Sequence, residues 1–135
     1  MQSFNVINTA KWLVQQHANK VPFGPLPKDL ALSNAKQAVA VQNEFVRIKA
    51  QQCGDVVGWK IALATPAMQK MVGLDAPTAG RLHRKQVVHA PADVTTKGYG
   101  RLLIEFEIAI QIGSNLLPSG MRLSLIHISE PTRPY

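Results

Sequence analysis

The stretch LLIEFEIAIQIG, residues 102–113, sets two carboxylates into an otherwise apolar run. Read as a strand, its successive side chains point to opposite faces. Ile104, Phe106, Ile108, Ile110 and Ile112 then share a wholly apolar face that is expected to be core. Glu105, Glu107, Ala109 and Gln111 share the other face. Side chains two apart on a strand stand about 6–7 Å apart, so a partly buried pair would repel by about 2 kcal/mol at an effective dielectric near 20. A cation would relieve that repulsion. Carboxylate oxygens are hard ligands, suited to magnesium, manganese or calcium rather than zinc. The rival reading is a solvent-facing strand edge with two glutamates, and by itself it is equally good.

Working outward, the 135 residues suffice for one domain with a modest core. Apolar residues make up 46%, which fits a globular chain and not a disordered one. No apolar run is long enough to span a bilayer. The first residues, MQSFNVINTAKWLVQQ, lack the basic segment and apolar block of a secretory signal. The one cysteine, Cys53, builds no disulfide framework, and a cytoplasmic location is expected. Cys53 itself reads as a small core residue. Net charge is +7, yet the fifteen Lys and Arg are scattered, with one tight group, RLHRK at 81–85. No aromatic interleaving or nucleic-acid module accompanies them. A basic surface that draws in small anionic substrates accounts for the charge.

Upstream, Val6, Ile7, Ala10, Leu13 and Val14 recur at helical spacing. VPFGPLPKD is a proline-rich connector. A second helix is expected from an N-cap at Ser33 to about Gln52, ending before Gly54, with Ala35, Ala38, Val41, Phe45 and Ile48 as its stripe. VVGWKIAL, 56–63, alternates like a strand, with Val57, Trp59 and Ile61 on one face and Gly58, Lys60 and Ala62 on the other. Thr65-Pro66 is an N-cap followed by proline at the first helical position, and Gly73 closes the short helix that follows. LDAPTAGRL reads as a turn-rich loop, and QVVHAP as a short strand.

Three further features bear on chemistry. Lys60, flanked by Gly58 and Ala62, can face a crowded pocket, hold a substrate anion or act as an acid/base. A lysine snorkelling from a strand end is the plainer alternative. Asp75 in D-A-P can cap its own turn or transfer protons beside a metal. Arg81, Arg84 and Lys85 can meet a carboxylate, or form a solvated charged loop. His83 and His89 have no second ligand at metal spacing and read as structural. The lone G-Y-G at 98–100 carries no weight.

The order G-W-K-I-A-L, T-P helix, G-L-D-A-P-T-A-G-R-L, I-E-F-E-I-A resembles the 2-keto-4-pentenoate hydratase group of the fumarylacetoacetate hydrolase superfamily. LSNAKQAVAVQ, 32–42, is similar to that group's helix after a proline-rich connector. The resemblance runs from about residue 4 to residue 122, the N-terminal part of such an enzyme. It implies an α+β fold in which N-terminal helices lead into a mixed, rolled β core, here truncated. It implies a divalent metal, magnesium or manganese, held by Glu105 and Glu107, with the third acidic ligand beyond this chain. It also implies Lys60 as the active-site lysine, contacting substrate, and Asp75 as the proton-transfer aspartate. Ala62 stands where relatives commonly carry glycine, a difference that bears on substrate choice.

The implied reaction is hydration of a 2-hydroxy-2,4-dienoate to a 4-hydroxy-2-oxo acid in aromatic-compound catabolism. A related 2-oxo acid decarboxylase of the 4-oxalocrotonate type and a non-catalytic basic interaction module are the alternatives. The expected partner is a small 2-oxo or 2-hydroxydienoic acid, without nucleic acid or membrane, in a homo-oligomer for the full-length parent. LSLIHISEPTR, 123–133, resembles the in-frame translation of a sequencing-library adapter. Residues 123–135 are therefore set apart from a hydratase-type segment 1–122, and His127 and Glu130 receive no role. In a fragment of this kind, the strand over 102–112 is expected to lack partners and to leave an exposed apolar edge prone to association, and the fragment is expected to be unstable and inactive by itself.

Overall fold

A computed structural model describes residues 5–22, 24–97 and 103–113. It divides into two compact units, Met1–Arg101 and Leu102–Tyr135. Among the described residues, every regular helix and paired strand lies in the first, an α+β arrangement of helices and a small antiparallel sheet.

Helix α1, Val6–Ala18, starts where the Asn5 side chain accepts from the Asn8 N–H at 2.9 Å. That bond satisfies one of the donors a helix start leaves unpaired. Helix α2, Ala35–Cys53, is capped by Asn34, one residue after the expected Ser33. Asn34 accepts from the Gln37 N–H at 3.0 Å, while the Gln37 side chain accepts from the Ser33 N–H at 2.7 Å. Asn caps as well as Ser does, and the reciprocal glutamine decides between them. At the far end Gly54 adopts φ +77°, where a side chain would be strained.

The two helices pack through a thin core. Ala10 and Val41 are its buried apolar side chains, beside Thr9, whose hydroxyl donates to the Asn5 carbonyl at 2.9 Å. Late in α1 the His17 ring meets Phe45 edge-on at 5.1 Å between centroids, and Lys49 Nζ lies 6.0 Å from the same ring. Burial, and then the Lys49 charge, lower the His17 pKa. The fold thus favours the neutral ring. Its contribution to stability is complete above the unfolded value near 6.5 and is lost as pH falls from there through the folded value. His17→Gln is expected to flatten the acid limb of thermal stability below about pH 6.5; an acid limb of unchanged slope would reject the assignment.

Strand β1, Val56–Ala62, pairs antiparallel with β2, Thr78–His83. Lys60 stands opposite Gly80, Trp59 opposite Arg81 and Ala62 opposite Thr78, with a bulge between Val56 and Gly58. The loop expected over LDAPTAGRL is therefore half strand. Its Gly and Pro signals hide an alternation of Ala79, Arg81 and His83 against Thr78, Gly80 and Leu82, and pairing with β1 overrides local propensity. Between the strands, helix α3, Pro66–Met71, is capped by the Thr65 hydroxyl, which accepts from the Met68 N–H at 3.4 Å. Gln69 is buried and donates through Nε2 to the Leu63 carbonyl at 2.8 Å. That bond holds Leu63 at φ +57°, a conformation seldom taken by residues other than glycine.

Two expected strands do not form. At 86–91 the chain enters from a 3-10 turn, Arg84–Gln86, and continues without regular structure. The Gln86 side chain accepts from the His83 N–H at 3.0 Å and turns the backbone away from a ladder. Residues 103–113 show only a bridge at Ile112, and their apolar face is exposed: Phe106 by 98% and Ile108 by 95%. Alternation prepares a face for burial, but a strand also needs a paired neighbour and a surface to cover that face. Gly98–Gly100 and residues 114–135 lie outside the described residues. No described helix is long and apolar enough to cross a membrane.

Candidate functional site

Lys60 sits half-buried in the middle of β1. Strand alternation and register place Gly58 and Ala62 beside it on β1, with Thr78, Gly80 and Leu82 across on β2. The lysine therefore rises from a floor made mostly of small residues.

The opposite face of the sheet is braced by α2. Gln42 Nε2 donates to the Ala79 carbonyl at 2.8 Å, and Arg81 donates to Gln42 Oε1 at 3.0 Å and to Asn43 Oδ1 at 2.9 Å. The Arg81 guanidinium also lies 4.1 Å from the centre of its cross-strand partner Trp59, a cation–π contact. Trp59 is nonetheless 59% exposed. Further along, His83 is buried with Nδ1 2.9 Å from the Gly54 carbonyl. A carbonyl only accepts, so Nδ1 is the donor of this bond. The Arg84 N–H donates to the Asp55 carbonyl at 2.9 Å, and Lys85 Nζ to the Gln52 carbonyl at 2.8 Å.

The basic group thus has an architectural use that neither sequence reading offered. Arg81 ties β2 to the middle of α2, while His83, Arg84 and Lys85 meet carbonyls at and beyond its C-terminal end. Cationic and N–H donors are favoured there, where a helix leaves carbonyls without partners. Gln42 and Asn43 escaped notice because they lie off the apolar stripe of α2. The signal that could have found them is Arg81, an inward-facing charge in an alternating segment.

Asp75 is exposed in the turn between α3 and β2. Gly73, at φ +73°, and a bond from the Leu74 N–H to the Gln69 carbonyl at 2.9 Å shape the entry to that turn. Three residues on, Thr78 pairs with Ala62, which is two residues from Lys60. Asp75 thus precedes the end of the sheet where Ala62 and Thr78 pair. Glu105 and Glu107 belong to the second unit, and both are exposed. Among the described residues, no three His, Cys, Asp or Glu come together to hold a metal. Two carboxylates alone are fewer than the six or so oxygens a hard cation takes.

Over 98 residues the chain is 33% identical to "2-keto-4-pentenoate hydratase 2" of Dechloromonas aromatica (strain RCB), an alignment covering 70% of this chain and 36% of that protein. The chain thus spans only about a third of the relative's length. No family model matches, and no solved structure matches.

Proposed function

We propose that this chain carries part of the site of a metal-dependent hydratase of the 2-keto-4-pentenoate group, in the fumarylacetoacetate hydrolase superfamily. The observation that carries the reading is Lys60, half-buried on a strand above a floor of small residues, within a chain similar to a hydratase by name. The substrate would be a 2-hydroxy-2,4-dienoate. Lys60 would hold the carboxylate end and stabilise negative charge on the 2-oxygen as its proton leaves. Asp75 would carry that proton to carbon, after which water adds across the conjugated double bond to give a 4-hydroxy-2-oxo acid. Glu105 and Glu107 would hold the divalent cation, which supplies Lewis-acid polarisation when bound. The setting would be the cytoplasm, and the full-length form a homo-oligomer.

A decarboxylase of the 4-oxalocrotonate type would use the same residues, and product analysis of a longer form separates the two: hydrated acid or carbon dioxide. The non-enzymatic rival is a basic interaction module with an acidic edge. Calorimetric titration of the chain with magnesium, then with 2-oxobutanoate, decides between enzyme site and module. The hydratase reading expects a metal-dependent heat of 2-oxo acid binding. Binding of neither ligand would overturn it in favour of the module.

A further inference from the structure

We infer that Gly80 is a specificity-determining position, the place where a flat conjugated carboxylate lies against β2 beside Lys60. This rests on the anion-binding role proposed for Lys60. Gly80 occupies the interior of β2, directly across from Lys60. A Cβ built there would meet no atom within 4 Å, and its backbone is not in the left-handed region. Gly54 and Gly73 take positive φ, whereas a Cβ on Gly58 would make only ordinary contact with Leu82 at 3.6 Å, and Gly24, in the proline-rich connector, has no atom within 4 Å.

Glycine weakens a strand interior through entropy and the lost side chain. Among the described residues, neither a positive φ nor a neighbouring atom requires it at position 80. A strand glycine without such a reason marks a place where something approaches the backbone closely. Cross-strand neighbours on one face stand about 4.5–5.5 Å apart at Cβ. A carboxylate that the Lys60 ammonium grips and that carries a chain of several carbons can therefore extend over Gly80. Ala62 and Thr78 continue the low floor beyond it. A planar chain can lie flat on that strip, whereas a branched or tetrahedral one gains nothing from it. The ligand class is a short, conjugated, unbranched carboxylate.

The test uses the full chain with Gly80→Ala, Gly80→Val and Lys60→Met. Each is titrated with sorbate, a planar dienoate, and with acetate, which is too short to reach position 80. Gly80→Val is expected to weaken sorbate by about tenfold or more while changing acetate by less than about twofold. Lys60→Met should weaken both. Thermal unfolding of Gly80→Ala and Gly80→Val should occur at or above the wild-type temperature, since a larger residue suits an open strand site. A lowered unfolding temperature for Gly80→Ala would show that the glycine serves the fold and would overturn the inference. Sorbate binding that needs Lys60 yet ignores Gly80→Val would overturn Gly80 alone and leave the Lys60 reading standing. Sorbate binding that is absent, or indifferent to Lys60→Met, would overturn both.

Discussion

Replacing Glu105 and Glu107 together by glutamine is expected to lower the affinity of this chain for Mn²⁺ by about a hundredfold or more, some 2.7 kcal/mol. The amides keep shape and an oxygen donor but remove two negative charges, and hard cations are held chiefly by charge. Electron paramagnetic resonance of free Mn²⁺ reads the loss directly. The single variants sharpen the result. Two carboxylates chelating one ion act as a unit, so either change alone should remove most of the affinity, and the pair should be strongly non-additive. Two independent solvent-edge glutamates would give small, additive effects. Both side chains are exposed, so the substitutions should leave folding stability within about 0.5 kcal/mol. Affinity that survives the double substitution would remove the metal assignment.

The second large contrast concerns Phe106. Were the alternation of 102–113 a buried core face, Phe106→Ala would cost about 3–5 kcal/mol. At 98% exposure the same change should cost less than about 0.5 kcal/mol in urea unfolding. Its larger consequence should be on association. Ile104, Phe106 and Ile108 form an uncovered apolar run, and such patches promote self-association. Phe106→Ser with Ile108→Ser should therefore lower the concentration-dependent sedimentation of the chain. A loss of several kcal/mol on Phe106→Ala would instead show the face buried and restore the core reading.

Much of the first unit was legible because its signals are local. Thr65 and Gly54 cap helices through their own neighbours, and the apolar period of α1 and α2 is complete within each segment. Strand β1 was legible from alternation alone. The boundary of α2 moved by one residue because the Gln37 side chain chose between two adjacent capping residues.

By itself, the sequence determined the helices, β1, the candidate residues Lys60, Asp75, Glu105 and Glu107, and the motif order that resembles a hydratase. Each of these depends on residue type and short-range spacing. Tertiary structure alone decided that 78–83 is a strand, that Arg81 and Lys85 bond to α2 and His83 to the Gly54 carbonyl just beyond it, and that Gly80 pairs across from Lys60. It also decided that 103–113 forms no regular strand. These outcomes depend on which distant segment supplies a hydrogen-bonding edge or a covering surface. A strand's pattern states what it could bury, and only its neighbours determine whether it does.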